Sequence, residues 1–172
     1  MFALLEHEAE VYSNIHPDPA LRLTDINRSV GHTFLDFGDD DFTNGRPHPM
    51  IDPTSRIQRL LQEARDPQVA VIVMDFVLGF GSHEDPAGAM LEAIKQAQAI
   101  AAADGRPLAI LGYVLGTDLD TPSWNNSAAG LARRASFWPA AAAIPACWRV
   151  NLSAKERKPD EPATIQPAAE RD

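Results

Sequence analysis

Apolar positions in this chain come in a few dense runs, separated by polar stretches rich in glycine and proline. The densest run is Val69-Ala70-Val71-Ile72-Val73-Met74. Three Val and one Ile in six positions favour a strand over a helix. No polar residue alternates within the run, so neither face expects water, which is the pattern of a central strand in a parallel sheet. A second run, Leu108-Ala109-Ile110-Leu111-Gly112-Tyr113-Val114-Leu115, predicts the next strand. His32-Thr33-Phe34-Leu35-Asp36-Phe37 is a shorter strand candidate. Between the strands the period changes. Ile57, Leu60, Leu61 and Ala64 recur at helical spacing over residues 55–65, with Thr54 or Ser55 as cap and Asp66-Pro67 as stop. Residues 87–103 are mostly good helix formers. Asp85 can cap that helix and Pro86 suits its first position, while Gly105 fits the place just past its end. Two strand–loop–helix units in series, joined by right-handed crossovers, give parallel strands and an α/β fold.

The flanks are patterned differently. Residues 1–31 predict a linker or N-terminal extension, with a short helix over 2–11 and a turn-rich connector over 12–19. His7 and His16 have no ligand-type neighbours there and read as solvated. Pro47, Pro49 and Pro53 forbid regular structure over residues 42–53. Residues 32–123 therefore form the domain. Residues 124–172 hold all three Trp (Trp124, Trp138, Trp148) and the single Cys147. Residues 138–143 have no amphipathic period, and residues 153–172 are polar and predicted disordered. A one-base shift of reading frame across Trp124-Asn125 forces a Glu codon, and suitable codons extend it to Leu-Glu-Gln-Gln. The same shift over residues 137–151 permits a strand, loop and helix. The tail is thus either frame-shifted or a genuine divergent end.

Charge changes the picture of partners. The 172 residues carry a formal net charge of −9. Residues 1–123 hold 8 basic against 19 acidic side chains, and the tail 7 against 5. A body so acidic argues against nucleic-acid binding. No apolar run reaches the ~20 residues of a membrane span, and the N-terminus lacks a signal-peptide pattern, so a cytoplasmic location is expected. One cysteine excludes an internal disulfide and a multi-cysteine metal site.

The candidate chemistry lies in the loop after the densest strand, where Gly79, Gly81, Ser82 and His83 precede the helix start at Asp85 and the residues up to Gly88. In open α/β sheets ligands bind beyond the carboxyl ends of strands, and a helix N-terminus suits an anion. The alternative is a loop with no ligand. The pattern is neither GxGxxG nor a P-loop. Arg46 and His48 sit in a Pro-fixed loop after a strand, and Gly116-Thr117-Asp118 follows the next strand. Arg46 either serves the site or pairs with Asp39, Asp40 and Asp41. That triplet could hold a cation through oxygen ligands, but it lacks calcium-loop spacing and reads rather as a solvated acidic turn. No metal site is assigned.

Three stretches carry a resemblance: residues 32–53 (HTFLDFGDDDFTNGRPHPMIDP), 66–88 (DPQVAVIVMDFVLGFGSHEDPAG) and 116–122 (GTDLDTP). Together they resemble the C-terminal region of FdrA-type, acyl-CoA-synthetase-like proteins, over roughly residues 10–123. More distantly they are similar to the C-terminal ligase domain of the succinyl-CoA synthetase β subunit. The resemblance implies a flavodoxin-like, three-layer parallel sheet, incomplete on its C-terminal side. It implies ligase or carbamoyl-transfer chemistry in ureide nitrogen metabolism, with a small anionic substrate at Gly79, Gly81, Ser82, His83, Arg46, His48, Gly116 and Thr117. The family's phosphohistidine loop, Gly-His-Ala-Gly, is missing, and its role is not carried to His83, which is a catalytic candidate only from its place in a Gly loop at a helix start. CoA and a nucleotide are implied only for the full-length family. The implied partners are the absent N-terminal domains or sister subunits, with neither nucleic acid nor membrane. The chain alone is expected to be inactive. The other reading is a non-catalytic subunit-interaction module.

Overall fold

A computed structural model describes residues 9–117, 119 and 120. Strand β1 (Val11–Ser13) leads through a single 3-10 turn (Pro19–Leu21) to β2 (His32–Phe34). Helix α1 (Asp40–Thr43) and helix α2 (Thr54–Glu63) precede β3 (Val71–Val77). Helix α3 (Pro86–Ala103) and β4 (Ala109–Leu115) complete the described chain. The two long strands and both long helices fall where the apolar runs and helical spacings place them, and α3 starts behind Asp85 as the Asp-Pro pair predicts. The α/β class with parallel strands is borne out.

The strands form two separate two-stranded parallel sheets, β1 with β2 and β3 with β4. This corrects the expectation that residues 32–37, 69–76 and 108–115 share one sheet. Past the end of β2, the backbone of Asp36 is bound by a side chain from the end of β1. Its backbone N–H donates to Asn14 Oδ1 at 3.0 Å, and its carbonyl accepts from Asn14 Nδ2 at 2.9 Å. An amide side chain thus takes the groups a further strand residue would pair, and β2 stops at Phe34. Residues 9–31 include β1, so Val11 is a strand residue and not the end of a helix. The rest of the expected helix over 2–11 up to residue 8, His7 and the whole tail lie outside the described residues. His16 is a second correction: it is only 4% exposed. Its ring Nδ1 accepts the Asp18 N–H at 3.0 Å, and its carbonyl accepts from Arg22 Nε. The aspartate triplet forms the acidic turn of the alternative reading, with Asp40 and Asp41 exposed. Asp39 caps α1 by accepting the Asp41 N–H, and among the described residues no cluster of His, Cys, Asp and Glu could hold a metal.

The core sits on one face of the β3–β4 pair. The register places Ile72, Met74 and Phe76 beside Ile110, Gly112 and Val114, and strand alternation puts these on one face. Leu60 and Ala64 of α2 pack there, with Met90, Ala93, Ile94, Ala97 and Ala101 of α3. The spacing of those five is that of one helical stripe, and its alanines let α3 approach the sheet closely. Burying each large side chain contributes about 1.5–3 kcal/mol. The opposite face, with Val71, Val73, Asp75, Val77, Leu111, Tyr113 and Leu115, is covered by neither helix. Val73 is 51% exposed. The expectation that neither face of this strand meets water is therefore corrected, because both long helices pack on the same side. The third layer is not built from the described residues. On the uncovered face Arg56 reaches round to Asp75 Oδ1 at 2.8 Å. Partial burial, then the negative charge of Asp75, raises the Tyr113 hydroxyl above its ordinary pKa.

Two arginines tie the periphery to the core. Arg59 is buried and bonds Glu63, the Ile26 carbonyl and Ser29 Oγ, stapling residues 26–29 to α2. Arg106 donates to the carbonyls of Ala64 and Val69, joining the end of α2 to the approach of β3.

Candidate functional site

Parallel pairing brings β3 and β4 to an end side by side, with Val77 opposite Leu115 and the Leu78 N–H donating to the Leu115 carbonyl at 2.8 Å. Each strand then gives way to a short closed turn. After β3, the Gly79 carbonyl accepts both the Ser82 N–H (3.1 Å) and the Ser82 hydroxyl (2.6 Å). Gly81 has φ +85°, the value a type II turn requires at its third position. After β4, Asp120 Oδ2 accepts the Thr117 N–H (2.6 Å) and hydroxyl (3.0 Å). The two turns are neighbours: a Cβ on Gly79 would lie 3.5 Å from Asp120 Oδ1. Gly116 admits no side chain, since a Cβ there would come within 2.7 Å of Leu78 Cβ.

A third turn joins them from the segment ahead of α2. The His48 carbonyl accepts the Ile51 and Asp52 N–H groups, and the His83 N–H donates to the Met50 carbonyl at 2.7 Å. A Cβ on Gly38 would lie 3.2 Å from His48 Nε2, which brings the end of the β2 segment to the same place. The loops at residues 38, 48–52, 79–83 and 116–120 thus gather at one edge, as their positions after parallel strands predict.

The polar groups of this edge are largely engaged with one another. His83 Nδ1 accepts the Asp85 N–H at 2.9 Å, so the neutral ring carries its proton on Nε2. Asp52 lies near. Its carboxyl is held below the ordinary range chiefly by the Thr54 hydroxyl and N–H, and further by the positive charge available on His83. The N-terminus of α3, the anion site suggested by the sequence, is occupied by the chain itself: Asp85 Oδ1 accepts the Gly88 N–H at 2.8 Å. An anion there would meet a carboxylate. Arg46 lines a different hollow, of about 270 Å³, with Phe42, Asp52, Thr54, Ser55 and Gln58. The start of α2 forms its wall and carries no side-chain cap.

The structure therefore brings Gly79, Gly81, Ser82, His83, His48, Gly116 and Thr117 to one edge and sets Arg46 beside Asp52 in the adjoining hollow. Sequence reasoning missed Asp52 and Asp120. Asp52 stands two residues before Thr54 and Asp120 three after Thr117, the spacings at which a carboxylate closes a turn. It also missed that the turns present apolar tips. Phe80 and Leu119 are fully exposed, and Ile51 is more than half exposed.

The structure defines an α/β domain with parallel strands and a loop cluster at their carboxyl edge, the place where such folds bind ligands, and comparison with known proteins gives the family. The pattern of the CoA-ligase family matches residues 17–145. The chain belongs to the CoA-ligase family. It is also 76% identical over 123 residues to the uncharacterized protein YahF of Escherichia coli (strain K12), a match covering 72% of this chain and 24% of YahF. The chain spans about a quarter of that relative's length.

Proposed function

We propose that the chain is the C-terminal ligase-like portion of an FdrA-like acyl-CoA synthetase protein. It would contribute strand-end loops to acyl-CoA, acyl-phosphate or carbamoyl transfer in ureide nitrogen metabolism, in the cytoplasm. The observation that carries this reading is the convergence of the loops at residues 38, 48–52, 79–83 and 116–120 in a chain of this family. His83 and His48 would meet a small anionic substrate from that edge and Arg46 from the adjoining hollow. With Nδ1 accepting the Asp85 N–H, His83 would meet the anion by donating a hydrogen bond from Nε2–H. Binding an anion at the start of α3 itself requires the Asp85 carboxylate to leave Gly88. The chain works with the domains or subunits it lacks, which would supply CoA and nucleotide binding.

The test has two arms. Phosphate or carbamoyl phosphate at millimolar concentration should shift the His83 ring resonances; unshifted resonances count against the anion site. The 172-residue chain should form no acyl-CoA from ATP, CoA and a carboxylic acid, and turnover by the chain alone would overturn the reading.

The second reading, a non-catalytic interaction module, is favoured by Asp85 filling the helix start and by the exposed apolar turn tips. The tail belongs to the same proposal. The YahF likeness is 123 residues long, as many as precede Trp124, whereas the family pattern runs on to residue 145. Sequencing the gene through codon 124 decides whether the other frame continues the family.

A further inference from the structure

Large apolar side chains are exposed at few places among the described residues, and they are concentrated at one end of the molecule. Of seven that are exposed, Met50, Ile51, Phe80 and Leu119 lie on the three turns at the carboxyl edge of β3 and β4. These tips are held in place. Phe80 occupies the second position of a turn closed by two hydrogen bonds to the Gly79 carbonyl. Leu119 sits in a turn closed by Asp120, its own N–H donating to Thr117 Oγ1. Met50 is tied to the Phe80 turn through the His83 N–H. An ordered turn that presents a fully exposed aromatic ring loses little entropy when that ring is buried by a neighbour. Contiguous apolar tips rimmed by polar groups mark an interaction surface.

The rim is acidic. The loop segments that gather at this edge hold Asp36, Asp39, Asp40, Asp41, Asp52, Glu84, Asp85 and Asp120, against Arg46 as the one Lys or Arg residue in those same segments. Such a rim repels anionic lipid surfaces and a second copy of itself, and it attracts a basic protein surface. The chain spans 24% of a relative to which it is 76% identical, so most of that relative's length lies outside it.

We propose that Phe80 and Leu119, flanked by Met50 and Ile51, dock into an apolar hollow ringed by Lys and Arg. That hollow would be carried by the part of the full-length protein this chain lacks, and it would close over the loop edge. The proposal rests on the reading that the chain works with absent domains, and it gives that contact its place.

The experiment compares one thiol in two settings. Phe80→Cys in a Cys147→Ser background is labelled with maleimide in the 172-residue chain and in full-length YahF whose matching segment is replaced by residues 1–123 of this chain. The thiol should react at least tenfold more slowly in the full-length protein, while Val30→Cys reacts equally in both. Equal rates at position 80 overturn the proposal. A second arm co-expresses the tagged chain with the remainder of YahF. Co-purification should survive Val30→Ser and fall at least tenfold with Phe80→Ser/Leu119→Ser; survival in the double variant overturns it. Phe80-dependent self-association of the chain with an unprotected thiol in the full-length protein would assign the edge to a second copy. Phe80-dependent binding to phosphatidylcholine–phosphatidylglycerol vesicles, again with an unprotected thiol, would assign it to lipid. Either result overturns the proposal. None of these readouts involves catalysis, so failure here leaves the ligase reading standing. Failure of the phosphate and turnover tests leaves the docking surface standing.

Discussion

The two ends of the β3–β4 pair share strands, helices and core, yet they are built to different rules. At the amino end the turns are made by Asp66, Pro67, Gln68, Asp104, Gly105, Arg106 and Pro107, and the apolar neighbours Ala64, Val69 and Leu108 are tucked into the core. Arg106 bonds inward, to the carbonyls of Ala64 and Val69, while Asp66 Oδ1 closes its own turn by accepting the Gln68 N–H. At the carboxyl end the polar side chains bond one another within the turns, and the apolar side chains point outward. One end spends its polar groups on holding the fold. The other uses them to fix turns whose tips contribute almost nothing to the fold. The exposed apolar tips lie at the second end, which is also where the proposed anion site falls.

The comparison holds only if both ends stand on one cooperative core. Ile94 is fully buried between α3 and the sheet. Ile94→Ala should lower stability by about 2–5 kcal/mol in urea unfolding. Two separated transitions in that variant would show that the ends melt independently. Next in size, Arg106→Ala removes charged donors from two carbonyls at the amino end and should cost about 1.5–3 kcal/mol. It should leave docking through Phe80 unchanged, and a loss of both would blur the division between ends.

Asp85 separates the structural use of the carboxyl end from a functional one. Asp85→Ala should cost about 1 kcal/mol by uncapping α3. Asp85→Asn keeps an acceptor at the cap, without the charge, and should retain most of that stability. If the start of α3 is an anion site, Asp85→Asn should tighten phosphate binding measured by the His83 resonances. Unchanged binding would leave Asp85 as a cap alone.

The Asp52 carboxyl is lowered by its bonds to Thr54 and by His83. Because the folded value lies below the unfolded one, about 3.9, its contribution is complete above that pH. It is lost as pH falls through the lower folded value. The turn at residues 48–52 should therefore loosen only in strong acid, followed by amide exchange at Thr54, and Asp52→Asn should abolish that dependence. The smallest expected effect is the sharpest for the comparison. Phe80→Ser should change stability by less than about 0.5 kcal/mol, as surface substitutions do. A larger loss would mean the Phe80 tip is part of the fold after all.

Much of this was legible in the residues. The β-branched run ahead of Asp75 marks β3, the Asp85-Pro86 pair marks the start of α3, and the order strand–loop–helix places three loops at one edge through the handedness of crossovers. These are local or topological matters, set by propensity, capping and chain order. His16, Val73, Asp36 and Arg46 were not legible in the same way. Whether His16 is solvated depends on Arg22 and Asp18 folding over it. Val73 is exposed because both helices chose the same face, and a uniformly apolar run cannot announce which face is left. Asp36 ends a strand because Asn14, distant in sequence, offers its amide to that backbone. Arg46 faces a hollow made by the start of α2 and not the helix start at Asp85. The sequence by itself determined the elements, their order and the edge where they deliver their loops. Only the tertiary structure decided which sheet face is covered, which carboxylates fill the polar positions at that edge, and that Phe80 and Leu119 stand out from it, because those outcomes depend on packing between segments that no local pattern encodes.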